Sequence, residues 1–418
     1  MATSSAFSLR SPQASMSSQP IQVAAELEED RYSRLRLIPW WDQDKIHSTR
    51  VLVIGAGALG NEILKNLALL GFLHIVVVDL DQIEVTNLSR AILFSSDSIG
   101  QYKATVVADA YRKLLPEAIV TPIAANILHS LGLGVFLWSD LILAGLDNRE
   151  ARLFINRAAW KSNRPWIDGA IEGINGVARV FLPGQPPCYE CTLGATDWAL
   201  LEKRMSCNLL LHEADTAGKV PTTPTISSII AGIQTQEALK LVHHLPTLAG
   251  QGVVFEGLHH TSYKVDYTES PDCLSHYTFD RIVSLEQKSS ELTLADLLAL
   301  AKEDLNTIEA VLEFSREIIH KLICPNCHAE ETVFAPVGSL TYHQGRCNVC
   351  TTPRIVQTLS GFHGQEDLAT LKLDQLGLPL YDLYTARSTE DGREDELAYL
   401  IAGDAPAILG PNAPPEAA

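Results

Sequence analysis

The chain has 418 residues, of which 46% are hydrophobic, and a formal net charge of −18; that length accommodates two or three domains with a sizeable buried core. Such an acidic balance argues against nucleic acid or an anionic membrane surface as the main partner. No apolar run approaches the roughly 20 residues that span a bilayer, so a soluble, cytoplasmic protein with no membrane partner is expected.

Residues 1–30 lack apolar periodicity, and 1–20 are rich in Ser, Ala and Gln with Arg10 as their one charge. They read as a disordered tail rather than a transit peptide, which would carry more Arg. Residues 51–54 form a strand-sized apolar run, followed by Gly55-Ala56-Gly57-Ala58-Leu59-Gly60 and helical periodicity to about Leu70. A second apolar run, 74–78, ends in Asp79. Strand, Gly-rich turn, helix, strand and acidic residue make the βαβ unit of a nucleotide-binding parallel sheet. Gly55, Gly57 and Gly60 let the backbone approach a phosphate, the helix start offers it N–H groups, and Asp79 is placed to accept ribose hydroxyls. Taken alone, this turn suits an NAD- or FAD-dependent oxidoreductase as well as an ATP enzyme.

The alternation continues: helix at 104–115, strand at 119–124, strand at 141–144 leading to Asp147, helix at 151–162, and strands at 166–167 and 177–182. A long helical period covers 225–243 and a strand 252–255. Residues 31–280 are thus expected to be one α/β domain with a Rossmann-like, doubly wound, mostly parallel sheet. The composition shifts after Tyr277. An acidic amphipathic helix is expected at 292–301, a strand at 308–314, a compact metal site at 324–350, and a disordered Pro/Ala-rich tail from about 411 within a C-terminal region of 281–418.

Six of the eight cysteines lie in CxxC pairs: Cys188/Cys191, Cys324/Cys327 and Cys347/Cys350. Without a secretory signal, such pairs bind metal more often than they form disulfides. The last two pairs are nineteen residues apart, a zinc-ribbon spacing. A competing arrangement joins Cys188/Cys191 to Cys324/Cys327 and leaves Cys347/Cys350 without partners. His243-His244 and His259-His260 fall at a helix C-terminus and a strand end, where they need no chemical role.

Several ordered motifs carry a resemblance. Asp79-Leu80-Asp81-Gln82-Ile83-Glu84-Val85-Thr86-Asn87-Leu88-Ser89-Arg90, then Ile99-Gly100-Gln101-Tyr102-Lys103-Ala104, then Leu146-Asp147-Asn148 with Arg152, resemble the corresponding stretches of the ubiquitin-activating, MoeB and ThiF family. Asp168-Gly169-Ala170 through Arg179, with Cys188-Tyr189-Glu190-Cys191-Thr192, resembles its ubiquitin-like-protein activating subunits, and Arg31-Tyr32-Ser33-Arg34 resembles its R-Y-x-R helix. Asp81 falls in the nucleotide-binding set with Asp79. The resemblance implies ATP chemistry in which Asn87, Arg90 and Lys103 contact the phosphates and Asp147 holds Mg²⁺. It further implies that Arg34 reaches the triphosphate from the neighbouring subunit of a homodimer. One departure stands out: the family's Gln after the Arg is Ala91 here.

In MoeB-like relatives a second CxxC follows a Pro near the end of the domain; here Pro271-Asp272-Cys273-Leu274-Ser275-His276 stands in that place. Cys273 and His276 would complete a Cys₃His zinc set with Cys188 and Cys191, structural like the ribbon. Family members that form a thioester carry their cysteine where Cys207 stands, although Asn208 rather than Thr follows it. Lys203 and Arg204 beside it favour the thiolate. The implied function is ATP-dependent adenylation of the C-terminal Gly of a ubiquitin-like protein, thioester formation on Cys207, and transfer to a conjugating enzyme. The alternative is a MoeB- or ThiF-type adenylyltransferase for a sulfur-carrier protein, without the thioester.

Overall fold

The computed structural model describes residues 29–207, 221–390 and 395–415, with backbone alone for 202–207. Nearly all of the expected N-terminal tail lies outside these residues. Met1–Trp41 forms a unit of its own; in its described part, Leu35–Leu37 make one 3-10 turn and Arg36 pairs with Asp30 at 2.6 Å. Arg34 is exposed at the start of that turn.

Asp42–Ala418 is a second unit built on two sheets. Asp42 caps α1 (Gln43–Ser48) by accepting from the backbone of Asp44 and Lys45. The elements that follow are β1 (Arg50–Ile54), α2 (Ala58–Leu70), β2 (His74–Val78), α3 (Lys103–Leu114), β3 (Ile119–Ile123), α4 (Ile127–Ser130), α5 (Leu133–Trp138), β4 (Leu141–Gly145) and α6 (Arg149–Lys161). Then come β5 (Trp166–Glu172), β6 (Asn175–Phe181), α7 (Ala195–Cys207), α8 (Pro224–Val242), β7 (Gln251–Glu256) and β8 (Thr261–Asp266). Their strands form one sheet in the order β3-β2-β1-β4-β5-β6-β7-β8. The first five run parallel, and β6, β7 and β8 each pair antiparallel with the strand before. Val, Ile and Leu in β1, β2 and β4 are buried almost throughout, as a strand covered on both faces requires. This is the Rossmann-like sheet expected. The stretch around Lys203–Ser206, beside Cys207, is the last turn of α7. Ala195–Cys207 holds no Gly or Pro and is rich in the strong helix formers Ala, Leu, Glu, Lys, Arg and Met.

The second sheet contains β9 (Ile282–Leu285), β10 (Ala310–Ile323), β11 (Glu330–Pro336), β12 (Ile355–Phe362), β13 (Leu383–Ser388) and β14 (Glu396–Ile401), with α9 (Leu294–Asp304) between β9 and β10. Its order is β11-β10-β13-β14-β9, and β12 pairs with β10. Leu294, Leu297 and Leu298 of α9 pack with Leu312, Tyr384 and Tyr399 in a core on one side. On the other side Leu383, Ala398 and Leu400 share a core with Val135, Phe136 and Ile155 of the first sheet's helices.

The seam is built for close approach. A Cβ on Gly132 or Gly134 would lie 2.5 or 2.4 Å from the Tyr381 carbonyl oxygen, so these positions admit no side chain. Leu133 N–H donates to Asp382 at 2.8 Å, and Arg316 donates to the carbonyls of Leu128 and Leu131 at 2.8 and 2.7 Å. The chain then returns to the first sheet through α10 (Ala405–Leu409) and a 3-10 turn at Gly410–Asn412. The tail expected from about 411 begins here; the structure describes it through residue 415, and Asn412 and Ala413 pack against the side of the first sheet. Asn412 is buried and donates to the carbonyls of Ile75 in β2 and Ile119 in β3, while Trp138 Nε1 donates to its carbonyl at 2.8 Å. Proline suits the first turn of a short helix, where its missing N–H costs nothing.

Candidate functional site

Parallel register aligns Ile54 with both Val78 and Ala144. Gly55, Asp79 and Gly145 therefore follow side by side at the carboxyl edge of the sheet, where ligands bind in such folds. The three loop glycines have different reasons. Gly55 has φ +93°, and a Cβ there would meet the Gly145 oxygen at 2.5 Å. A Cβ on Gly60 would lie 1.8 Å from the Gly55 oxygen, so Gly60 lets the helix press on the strand end. A Cβ on Gly57 would meet nothing within 4 Å. Open space thus lies at the N-cap of the 13-residue helix α2, where unsatisfied N–H groups and the helix dipole favour an anion.

Asp79 accepts from Ala56 N–H at 2.7 Å and Asp81 N–H at 2.8 Å, which ties the glycine loop to the end of β2. Burial pushes its carboxyl up; Lys103 and these two N–H donors oppose the shift without cancelling it. Each carboxylate oxygen retains a further lone pair for a hydroxyl. Lys103, 9% exposed, reaches Asp81 at 2.7 Å, so its ammonium is held at the same edge. Between these anchors runs the segment carrying Asn87, which accepts from Glu84 N–H, and half-buried Arg90, which has no carboxylate partner among the described residues. Asp147 is exposed beyond β4, next to Asn148, the N-cap of α6.

Three residues behind this edge form a network the motif reading did not foresee. Asp168 is fully buried, and receives Arg152 Nε at 2.8 Å and Arg179 Nε at 2.9 Å. Burial works against its ionisation, but the two guanidiniums outweigh it and hold the carboxyl below its usual range. Arg152 also donates to the carbonyls of Leu146 and Gly169, so the residue before Asp147 is fixed by a buried cation. Asn61 is equally buried. It joins the glycine loop to the Arg90 segment through hydrogen bonds to Ala56, Gly57 and Leu93. An Asn one turn into the helix gives no sequence signal for such a bridge, because its partner lies 32 residues away.

The cysteines form two separate clusters. Cys188, Cys191, Cys273 and His276 present ligand atoms within 4.8 Å of one another, and so do Cys324, Cys327, Cys347 and Cys350. The competing pairing of Cys188/Cys191 with Cys324/Cys327 is not the one found. Cys188 Sγ lies 3.8 Å from Cys191 Sγ and 3.5 Å from Cys273 Sγ, and Cys191 Sγ lies 3.4 Å from His276 Nε2. In the second cluster the sulfur separations run from 3.4 to 3.7 Å. A tetrahedral zinc with Zn–S near 2.3 Å requires ligand edges of about 3.8 Å, so both donor sets suit that ion. The Glu269 carboxylate stands 3.6 Å from His276 Nδ1, and the His276 ring stacks on Trp160 with centroids 4.5 Å apart, which fixes its orientation. Glu190, inside the first CxxC, binds both Arg157 and Ser275 and so links the two halves of that set.

Cys207 ends α7, and its thiol lies outside the described side chains. His243 accepts Asp42 N–H on Nε2 at 3.0 Å, leaving Nδ1 to donate to the Leu239 carbonyl at 2.8 Å. It is a helix-end residue, as its position suggested.

The profile described as the ThiF family matches residues 30–275. The NEDD8-activating enzyme E1 catalytic subunit of Schizosaccharomyces pombe is 43% identical over 151 residues, covering 35% of this chain and 34% of that protein. The SUMO-activating enzyme subunit uba-2 of Caenorhabditis elegans is 37% identical over 157 residues, covering 37% of this chain and 27% of its own length. The chain thus spans about a third of the length of these curated relatives. Among solved structures, E. coli MccB with ATP superposes with a TM-score of 0.51 at 23% identity, covering 62% of this chain and 77% of that one; this is a likeness of fold.

Proposed function

Because the chain belongs to the ThiF family, we propose that it uses ATP to adenylate the C-terminal Gly carboxylate of a ubiquitin-like protein. The observation that carries the reading is the open cradle at Gly57, flanked at one sheet edge by Asp79 and the Asp81–Lys103 pair. The local identity to NEDD8- and SUMO-activating subunits supports this substrate class. A carboxylate oxygen attacks the α-phosphorus, the bond from that phosphorus to the bridging oxygen breaks, and pyrophosphate leaves. Charge on the phosphoryl oxygens has to be neutralised by groups already in place. Gly55, Gly57 and Gly60 cradle phosphate, Asp79 holds ribose, Asp81 orients Lys103, and Asn87, Arg90 and Lys103 contact the phosphates. Asp147 holds Mg²⁺, which supplies further positive charge. The Arg152–Asp168 pair keeps Asp147 in place through Leu146.

Arg34 enters from a second copy in a homodimer. Supporting an assembly of that kind, Ile229 of α8 is exposed, and with Gly232, Ile233, Val253 and Lys264 it lines a groove of about 550 Å³; an exposed apolar groove is a common interaction surface. After adenylation the Cys207 thiolate attacks the acyl carbonyl and AMP leaves, giving a thioester for a conjugating enzyme. The two cysteine clusters hold structural zinc. A sulfur-carrier adenylyltransferase, which stops at the adenylate, is the second reading.

The test is ATP–pyrophosphate exchange with candidate carriers ending in Gly. Exchange should require a carrier, and Asp147→Ala should abolish it without unfolding an exposed site. Cys207→Ala should keep exchange and lose any thiol-reducible adduct. Exchange with no adduct in wild type retires the thioester step. Tight NAD binding with no exchange on any carrier retires the whole reading.

A further inference from the structure

We propose that Asn61 is a positioning residue that locks the phosphate-binding loop to the Arg90 segment, so that both faces of the nucleotide site are set before ATP arrives. The inference rests on the nucleotide reading above. Between β2 and α3 the chain runs from Asp79 to Tyr102 with no α-helix or long strand, only 3-10 turns at Val85–Asn87 and Ser96–Ser98. The ends of this segment are fixed by Asp79, by the Asp81–Lys103 pair, and by the hydrogen bonds between Ile83 and Gln101 and between Gly100 and Ile83. Arg90 lies near the middle, far from either anchor.

What holds the middle is Asn61. Its Nδ2 donates to the carbonyls of Ala56 at 2.7 Å and Gly57 at 3.0 Å, and its Oδ1 accepts Leu93 N–H at 2.9 Å. Its side chain is wholly buried. Both amide protons and one oxygen lone pair are therefore committed, and each bond is made where an unmade one is costly. The two acceptors belong to the loop that surrounds the open space at Gly57, and the donor sits three residues after Arg90. Among the described residues no other side chain makes the same tie; Ala91 is buried and has no polar side-chain atom. A side chain that merely tied the glycine loop to its own helix would need the two carbonyls and not Leu93.

That distinction sets the experiment. Asn61→Ser keeps a hydroxyl that can donate back to the Gly57 carbonyl one turn earlier, but is too short to reach Leu93. Asn61→Asp keeps an acceptor for Leu93 and loses the donors. ATP binding is measured by calorimetry without any carrier, and amide hydrogen exchange is followed across residues 88–93. Asn61→Ser should bind ATP about tenfold more weakly, the usual effect of losing one buried hydrogen bond, and should lose protection at Leu93. Asn61→Asp should retain that protection while weakening ATP binding through the loop. If Asn61→Ser binds ATP within twofold of wild type, or weakens while Leu93 stays protected, this inference fails and the nucleotide reading stands. Wild type that binds no ATP overturns both. Wild type whose Leu93 amide exchanges freely without nucleotide overturns the inference even if neither variant folds.

Discussion

Replacing Asp168 with Ala removes the one carboxylate between two buried guanidiniums. The side chains of Arg152 and Arg179 are 8% and 14% exposed, so neither can turn to water for solvation. Deleting one partner of a buried pair costs about 3–5 kcal/mol, because the charge left behind stays desolvated. At about 2.1 cal/mol/K per residue, the unit Asp42–Ala418 has an unfolding entropy of about 0.8 kcal/mol/K, so that loss lowers the melting midpoint by about 4–6 °C. Calorimetry on wild type, Asp168→Ala and Asp168→Asn measures the shift. Asn keeps the hydrogen-bond acceptor and should lie between the other two. The pH dependence has a defined sign. The folded carboxyl titrates below its unfolded value of about 3.9, so its contribution is complete above that value and is lost as pH falls through the lower, folded one. Wild type should therefore shed the advantage over Asp168→Asn only in strong acid. A midpoint for Asp168→Ala within one degree of wild type refutes the claim that these three residues form a buried ionic centre.

Metal analysis of the purified protein should give two zinc ions per chain, and Cys273→Ser should leave one, with the second cluster untouched; a single zinc in wild type refutes the two-site arrangement. Asn412→Ala removes donors to two strand carbonyls and should cost about 1–3 kcal/mol, the penalty for unmade buried hydrogen bonds; unchanged denaturant midpoints would show that the docked segment carries no stability. Burial and Arg316 push His129 down to about 4, so stability should fall as pH drops from about 6.5 toward that value. His129→Gln should flatten this part of the pH profile, and an unaltered profile would assign it to other groups.

The legible parts of this protein were those written in short-range pattern. The β1–α2–β2 unit followed from Val, Ile and Leu runs around three glycines, and the register then brought Asp79 beside the loop. Both cysteine sets were read as they are grouped, Cys324/Cys327 with Cys347/Cys350 from spacing alone and Cys273/His276 from resemblance. Asp168 and Arg179 stood inside quoted motifs without a role, because a buried ion pair between neighbouring strands leaves no periodicity to read. Gly132 and Gly134 drew no notice in the sequence, because their reason is the Tyr381 backbone some 250 positions away. The placement of the segment after Ala405 was invisible for the same cause. Its order comes from Thr121, Trp138, Ile75 and Ile119, none of which is near it in sequence.

The docking of Asn412 on β2 also sets a clock. Asn412 and Ile75 are 337 residues apart, and a ribosome adding about 5–20 residues per second needs roughly 20–70 s to bridge them. In the last part of that interval, once Thr261–Asp266 has been made, the nascent first sheet has every strand it needs but not the side chain that bonds to β2 and β3, nor the Leu409 carbonyl that receives Thr121. Parallel strands close slowly even with all contacts present. The early product is thus a nearly finished sheet with an uncovered border, the state in which nascent chains most often need a chaperone.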